Sequence, residues 1–265
     1  MSREYGTMNN KEYGFFFGIP VSSLSKKEIL SFVRSSVAGN SLYRIATVGP
    51  EFLLRAREDR MFRENLLKAD LRIADGVGIT IAGWLSGRRI PHCPGADLLS
   101  EILKEAEARN LSVFLAIRKS GLSSLEEIQT ALFKKYPRLK TEGKEFVVSD
   151  SIPHSPFSIP HSNIVFSNFG APHQEYFLES LRGQANEVKL AMGVGGAFDF
   201  LTGKLPRAPK ALRAIGLEWF WRLILQPSRW KRIWRAVVVF PVAVIRKRFF
   251  PNRHSREDGN PGATC

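Results

Sequence analysis

The chain has 265 residues, of which 44% are hydrophobic and 24% charged, so it can bury a substantial core and is not expected to be disordered. Its two cysteines argue against a disulfide framework, and no run of eighteen apolar residues is present to form a conventional transmembrane helix. The net charge of +14 is concentrated in residues 204–256, where fourteen lysines and arginines stand against one acidic residue, so this end is predicted to meet an anionic partner.

Apolar and amphipathic segments alternate along the chain. A short strand is predicted over 15–21, and Ser25 with Glu28 forms a capping box that begins a helix ending near Ala38. The further predicted strands are 42–47, 69–74, 111–117, 146–148, 163–167 and 188–193. The further predicted helices begin at residue 51 and cover 78–86, 97–109, 123–136 and 173–181. This alternation predicts a doubly wound, mostly parallel α/β sheet, with a proline-rich loop over 149–162.

Polar residues and glycines follow several predicted strands, at the edge where a doubly wound sheet binds its ligands. These positions are Thr47, Asp75, 118–121, 170–172 and 193–199. Because the carboxyl ends of parallel strands meet at one edge of the sheet, their coincidence predicts a ligand site there.

Three side chains at this edge are candidates for chemistry. Asp75, followed by Gly-Val-Gly, could hold a ribose hydroxyl, bind a metal or take a proton from an attacking hydroxyl, or it could form an Asx turn or helix cap. Thr47 could donate to a phosphate or sugar, or simply end its strand. Gln174 could bind a ligand. For Glu175, a role as a first-turn acid that interacts favourably with the helix dipole is as plausible as a role in the site.

A glycine turn of Gly193, Gly195 and Gly196 follows the last of these strands, and Asp199 comes after it. Glycine lets the backbone approach a ligand closely, and the N–H groups of such a turn can bind phosphate. An ordinary tight connection between a strand and a helix gives the same pattern. No DxD pair or Walker sequence accompanies it, and Phe198 occupies the sixth position of a dinucleotide fingerprint, which disfavours a dehydrogenase.

Aromatic and basic residues are interleaved towards the C-terminal end. Four of the five tryptophans stand at 219, 221, 230 and 234 among arginines, and an apolar run over 236–245 is broken by Pro241. Tryptophan and arginine beside a run too short to span a bilayer are typical of a membrane interface with anionic lipid. A buried core helix or a subunit contact is the alternative. Nucleic acid is a weaker alternative and is not the expected partner, because the apolar run has no use on a groove-binding surface.

Several ordered blocks together resemble the WecG/TagA/CpsF family of bacterial glycosyltransferases, over about residues 15–235. The blocks are TVGPEF at 47–52, ADLRIADGVGI at 69–79, GADLL at 95–99, FGAPHQE at 169–175, GVGGAFDFLTGKLPRAP at 193–209 and GLEWFWRL at 216–223. Their order and spacing carry the resemblance more than any single glycine motif does.

The resemblance implies an inverting, metal-independent enzyme. Such an enzyme moves an N-acetylmannosamine-type sugar from a UDP donor to a polyprenyl-diphosphate-linked amino sugar, in the synthesis of a cell-surface polysaccharide or teichoic acid-type polymer. No cofactor is expected beyond the UDP-sugar, which is the donor substrate. The expected location is cytoplasmic, peripheral on the inner face of the bacterial cell membrane.

The same resemblance implies a Rossmann-like catalytic domain over 1–205 and a basic, tryptophan-rich appendage over 206–250 that associates with an anionic membrane surface. A disordered tail is expected over 251–265. Two arrangements of the appendage stay open, in which it completes its own active site or that of a neighbour in a homo-oligomer.

Carried over residue by residue, the resemblance implies that Asp75 is the general base, Thr47 a substrate-binding threonine and Gln174 an active-site glutamine. Glycine turns and appendage cations are expected to bind substrate and diphosphate, and no residue is expected to bind a metal. The expected binding residues are Gly76, Gly170, Gly193, Gly195, Gly196, Asp199, Arg207, Arg213, Arg222, Arg229 and Arg232.

Three features depart from the family's pattern. The family's glycine-rich turn after the mid-chain strand appears here as AIRKSG at 116–121. Gly49 stands where the family has asparagine, and His92 stands near the place of an arginine, for which Arg88 or Arg89 could substitute. A second hypothesis of a different class therefore stays open, that of a catalytically impaired relative which binds nucleotide-sugar or lipid within a polysaccharide-assembly complex.

Overall fold

The structure is a computed structural model that describes residues 12–148, 159, 161–183, 187–214 and 216–249, without the side chains of 214, 229 and 247–249. The predicted disordered tail over 251–265 and most of the predicted loop over 149–162 lie outside the described residues.

The described residues form two sheets. The strands are β1 (Tyr13–Phe16), β2 (Ile19–Ser22), β3 (Tyr43–Val48), β4 (Leu71–Ala74), β5 (Ser112–Arg118), β6 (Lys140–Phe146), β7 (Ile164–Ser167) and β8 (Leu190–Gly193). β1 and β2 form an antiparallel hairpin, and the other six strands form a sheet in the order β4-β3-β8-β7-β5-β6. All neighbours in the larger sheet run parallel. The predicted α/β class and the parallel sheet are confirmed.

Helices connect these strands and continue beyond the last of them. They are α1 (Lys26–Ala38), α2 (Pro50–Glu58), α3 (Arg60–Leu67), α4 (Val77–Leu85), α5 (Gly95–Ala108), α6 (Leu125–Lys135), α7 (His173–Ser180), α8 (Ala197–Leu201), α9 (Lys210–Ala214), α10 (Glu218–Leu225), α11 (Trp230–Trp234) and α12 (Phe240–Phe249). The predicted capping box of Ser25 and Glu28 begins α1, and Ser124 caps α6 in the same way with Glu127.

The helices cover both faces of the parallel sheet. One face packs on α1, α5 and α6 through residues such as Val33, Leu99 and Leu132, and the other packs on α2, α3 and α4 through residues such as Leu53 and Leu66. The helix after β3 lies on one face and the helix after β8 on the other, although these strands are neighbours. Such a reversal opens a crevice between adjacent strand ends, which is the usual ligand position in this architecture.

Two predicted strands differ from the structure. The predicted strand over 15–21 is a hairpin, because Phe17 and Gly18 both adopt positive φ, 52° and 79°, as a two-residue hairpin turn requires. The strand predicted over 146–148 is wrong, because β6 ends at Phe146 and occupies the polar segment before it. β6 pairs on one side only, so it lacks the continuous apolar run that marks the inner strands.

The C-terminal segment, defined here as 206–249 within the described residues, packs against the body of the same chain. Phe240 is fully buried, with its ring centroid 6.2 Å from that of Phe16, and Val244 joins the same core cluster. Arg235 donates to the Glu58 carboxylate of α2 at 3.0 Å. The alternative of a buried core helix is therefore correct for one side of α12. The division into domains at residue 205 stays a prediction.

Candidate active site

The carboxyl ends of β4, β3, β8, β7 and β5 surround a cleft of about 910 Å³, a volume typical of a small-molecule site. The structure brings many of the predicted site residues together around it. Those in its lining are Thr47, Asp75, Gly170, Gln174, Gly195, Gly196, Asp199, Arg222 and Arg232. Gly76, Gly193, Arg207 and Arg213 do not line the cleft, and the side chain of Arg229 lies outside the described residues. Gly76 and Gly193 are chain neighbours of residues that do.

Asp75 lies at the end of β4 and faces the N-terminus of α5. The backbone N–H of Gly95 donates to Asp75 Oδ1 at 3.1 Å. The side chain is open to the cleft, but protein surrounds that cleft and displaces water, which raises the pKa of the Asp75 carboxyl above its ordinary value. Arg222, the Gly95 N–H and His92 lower this pKa and Glu51 raises it, each by less than the loss of water does. A carboxylate with a raised pKa and an open path to solvent has the properties of a general base.

Gly76 allows the chain to turn from Asp75 directly into α4. Its φ is 132°, a conformation that side chains with a Cβ rarely adopt, and it is the residue before the first turn of α4. The predicted importance of Gly76 therefore has a structural basis in positioning Asp75. Direct binding of substrate by Gly76 stays a prediction.

Thr47 is buried at the end of β3, and its hydroxyl donates to the carbonyl of Gly193 at 3.1 Å. A Cβ at Gly95 would lie 3.0 Å from Thr47 Cγ2, so Thr47 also packs on the start of α5. Thr47 thus fixes the ends of β3 and β8 and the N-terminus of α5 relative to one another. Thr47 is part of the cleft lining, and its contact with substrate stays a prediction.

Gln174 is almost fully buried beneath the glycine turn. Its Oε1 accepts from the Gly170 N–H at 3.1 Å, and its Nε2 donates to Glu175 Oε1 at 2.8 Å. The amide occupies the space where a side chain at Gly193 would stand. Gln174 therefore supports two strand-end turns, and its role as an active-site glutamine stays a prediction.

Glu175 is buried next to Gln174, and its Oε2 has no hydrogen-bond partner. Loss of water raises the pKa of the Glu175 carboxyl to about 7, while its hydrogen bond from Gln174 and the nearby Arg44 act in the opposite sense. Arg44 donates to the Glu175 carbonyl at 2.7 Å and lies 3.3 Å from a Glu179 oxygen. Glu175 thus stands in the first turn of α7, as one of the two expectations had it, but its side chain points into the protein.

The glycine turn leads into α8, where Asp199 is buried. Ser123 Oγ donates to Asp199 Oδ1 at 2.8 Å and lies at the same distance from Thr202 Oγ1. Gly195 has a φ of 48°, so a residue with a Cβ would be strained there. Asp199 borders the cleft while its carboxylate is held by Ser123.

Two of the predicted appendage cations pair with carboxylates of the chain. Arg207 pairs with Asp97 of α5 and with Glu218 of α10. Arg232 pairs with Glu51 in the first turn of α2. These two arginines hold the C-terminal segment against the body, a role that the sequence did not indicate.

Arg222 differs from them, because none of the carboxylates in the described ranges comes within ion-pair distance of it. Its guanidinium lies 4.6 Å from the centre of the Phe200 ring, its Nε is buried without a hydrogen-bond partner, and Asp75 is its electrostatic neighbour. Arg213 donates to the Ala208 carbonyl at 3.1 Å, and Arg229 has no described side chain. Arg222 is therefore the predicted cation that is best placed to receive a diphosphate.

Arg118 and Asn168 also border the cleft, at the ends of β5 and β7. Sequence reasoning placed Arg118 among the strand-end ligand positions but did not name Asn168. Asn168 Oδ1 accepts from the Arg118 N–H at 2.7 Å, and the Arg118 guanidinium donates to the Phe169 carbonyl at 3.2 Å. Their positions directly after strands were the available signal. They make the side of the cleft opposite Asp75 polar.

The described residues contain neither a metal-binding cluster nor a helix able to cross a membrane. Within these ranges, His, Cys, Asp and Glu side chains form no group of three or more that could hold a metal ion. Over the same part of the chain, no helix combines the length and the apolar character that crossing a bilayer requires.

The sequence is similar to those of known proteins. The sequence model described as "Glycosyl transferase WecG/TagA/CpsF family" matches residues 15–254. A Bacillus subtilis (strain 168) protein named N-acetylglucosaminyldiphosphoundecaprenol N-acetyl-beta-D-mannosaminyltransferase is 29% identical over 214 residues, which cover 78% of this chain and 82% of the relative. Proteins of the same name from Bacillus spizizenii (strain ATCC 23059 / NRRL B-14472 / W23) and Staphylococcus aureus (strain MRSA252) are 26% and 29% identical. These matches cover 83% and 74% of this chain, and 82% and 76% of the respective relatives.

Proposed function

We propose that this chain, which belongs to the WecG/TagA/CpsF family of glycosyl transferases, moves an N-acetylmannosamine-type sugar from UDP to an amino sugar on a polyprenyl diphosphate. Family membership makes it a glycosyltransferase, and the relatives are named for an N-acetylmannosaminyl transfer to N-acetylglucosaminyldiphosphoundecaprenol. Sequence identity below 30% supports the class of reaction more strongly than it supports which sugar is transferred.

The observation that carries the proposal is the position of Asp75 next to Arg222 in one cleft. A carboxylate with a raised pKa and a guanidinium that forms no ion pair within the described part of the chain both line the strand-end crevice. A transfer from a nucleotide diphosphate needs both groups, because one must accept a proton while the other neutralises a leaving diphosphate.

In the proposed reaction, Asp75 accepts the proton of an acceptor hydroxyl as its oxygen attacks the anomeric carbon of the donor sugar. The bond between that carbon and the diphosphate oxygen breaks, and its electron pair leaves with UDP. A single displacement of this kind inverts the anomeric configuration. General-base catalysis contributes roughly 10²–10⁴-fold to such a step.

The charge of the departing diphosphate would be stabilised by cations of the protein, so the mechanism we propose uses no metal. Arg222 is the candidate, because it lines the cleft and its Nε has no hydrogen-bond partner; Gly195 and Gly196, whose backbone N–H groups could also bind phosphate, line the same cleft. Hydrogen bonds from arginine to phosphate oxygens are among the strongest that a protein makes.

The acceptor lipid would bring the enzyme to a membrane, and we place it peripherally on the inner face of the cell membrane. Trp230 and Trp234 are each 56% exposed on the C-terminal segment, where arginines surround them. Exposed tryptophan beside arginine suits the headgroup region of an anionic bilayer.

The test is an assay of the purified protein with a panel of UDP-sugars and an N-acetylglucosaminyl diphosphate lipid, with and without a chelator. The proposal expects transfer of an N-acetylmannosamine-type sugar, an inverted product by NMR and no loss of rate with the chelator. Binding of UDP-sugar and lipid without product would favour the catalytically impaired relative, for which Gly49 and His92 are the motivating departures. Inhibition by the chelator would overturn only the metal-free mechanism.

A further inference from the structure

A second cavity of about 330 Å³ lies directly beside the cleft, between α4 and the C-terminal segment. The two cavities share a wall that includes Asp75, Arg222 and Arg232. Beyond this wall the second cavity is lined mainly by apolar side chains. They include Val77, Ile81, Leu217, Ile233, Val237 and Pro241.

This apolar groove is built by close packing of two segments that are far apart in the sequence. A Cβ at Gly78 would lie 3.3 Å from the Ala236 carbonyl oxygen, and one at Gly216 would lie 2.7 Å from Val77 Cγ2. The walls therefore meet at these glycines, and the groove between them has a defined shape.

One end of the groove is charged and the other is apolar and open to solvent. At the inner end, Arg222 and Arg232 stand beside Asp75. At the outer end, Ile81 is 47% exposed and the next turn of α4 presents Trp84, which is 77% exposed. Arg88 and Arg89 follow and are also exposed. Exposed apolar side chains rimmed by arginine suit contact with an anionic lipid surface.

We propose that this groove binds the first isoprene units of the polyprenyl acceptor and that Ile81 and Trp84 of α4 form its exit into the membrane. Two observations select this occupant. The groove and the cleft share Asp75 in their lining, and Arg222 and Arg232 stand beside it, where the diphosphate would join the lipid chain. The inference rests on the proposed function and adds a second membrane contact, on the catalytic body, to that of the C-terminal segment.

The test uses variants that fill the groove without making it polar, namely Val237→Trp and Ile81→Trp. Each is assayed with two acceptors that carry the same sugar diphosphate, one on a full polyprenyl chain in vesicles and one on a short, soluble alkyl chain. We expect the KM for the polyprenyl acceptor to rise about tenfold, which equals the loss of roughly two buried CH₂ groups. The rate on the short-chain acceptor and the binding to vesicles should stay at the wild-type level.

Met61→Trp is the matched control, because Met61 is exposed on α3 and lines neither cavity. This variant should have the wild-type KM and rate with both acceptors. Equal effects of the groove variants on both acceptors, or none on either, would overturn the proposal, as would a change in mass by sedimentation showing that a second copy occupies the groove. If wild-type protein used neither acceptor, the proposed function would fail instead.

Discussion

Arg232 of the C-terminal segment donates to the carboxylate of Glu51 in the first turn of α2, 181 residues earlier in the chain. Glu51 borders both the polar cleft and the apolar groove, and so does Arg232. The segment that sequence reasoning assigned to the membrane therefore also forms a wall of the candidate active site. A single, partly exposed ion pair such as Arg232–Glu51 stabilises a fold by about 1 kcal/mol or less. The fully buried Phe240 therefore contributes more to holding the C-terminal segment against the body.

Arg222→Ala should lower the rate of sugar transfer by roughly 10²–10³-fold, the usual cost of removing one donor that stabilises developing charge. Steady-state kinetics with saturating donor measure this change. Arg246→Ala removes the same charge from an exposed position on α12 and serves as the control, with a rate close to that of the wild type. Equal losses in the two variants would show that overall charge matters rather than the position of Arg222.

Gly193→Ala should destabilise the protein by about 1–3 kcal/mol, because its methyl group would overlap the Gln174 amide. Denaturant unfolding measures this difference. Adding Gln174→Ala should recover part of the loss, since the shorter side chain frees the space. Strictly additive losses would mean that the two residues do not compete for the same volume.

Glu175→Gln should change how stability depends on pH. With a pKa raised to about 7, native Glu175 keeps a proton that the unfolded chain has lost, so stability falls as pH rises from about 4.5 to about 7. Glutamine removes this dependence, which amounts to roughly 3 kcal/mol at most. Urea unfolding at several pH values should give a flatter profile for the variant than for the wild type. Parallel profiles would contradict the burial of this carboxyl.

Replacing Trp230 and Trp234 by alanine should weaken binding to anionic vesicles without lowering the melting temperature, because both side chains are largely exposed. Vesicle sedimentation and thermal unfolding measure the two quantities. Phe133→Ala on α6 removes a similarly exposed aromatic ring from a helix on the opposite face of the sheet and should leave vesicle binding intact. Unchanged binding of the tryptophan variant would place the membrane contact elsewhere.

Local patterns were sufficient to predict the strand-end positions of the site. Asp75, Thr47 and the glycine turn were identified because each follows an apolar run, and parallel strands bring such ends together whatever the connections between them. The capping box of Ser25 and Glu28 was predictable for the same reason, since all of its contacts lie within one helical turn.

Contacts between distant segments could not be predicted in this way. Nothing local to Arg232 or Glu51 indicates that they pair, and the run around Phe240 has the same composition whether it packs on a core or on lipid. Glu175 illustrates the limit most directly, because a first-turn acid usually faces water, whereas here the turn of α7 directs it beneath the sheet edge.

The most direct test of the account is the rate of transfer by Asp75→Asn, with Glu126→Gln on the surface of α6 as a control for the loss of one carboxylate. The account predicts a fall of at least roughly 10²-fold in kcat for Asp75→Asn, with UDP and vesicle binding retained. It also predicts that the wild-type rate declines as pH falls through a pKa above 3.8, the ordinary value for aspartate. Turnover by Asp75→Asn at the wild-type rate would contradict the assignment of Asp75 as the base.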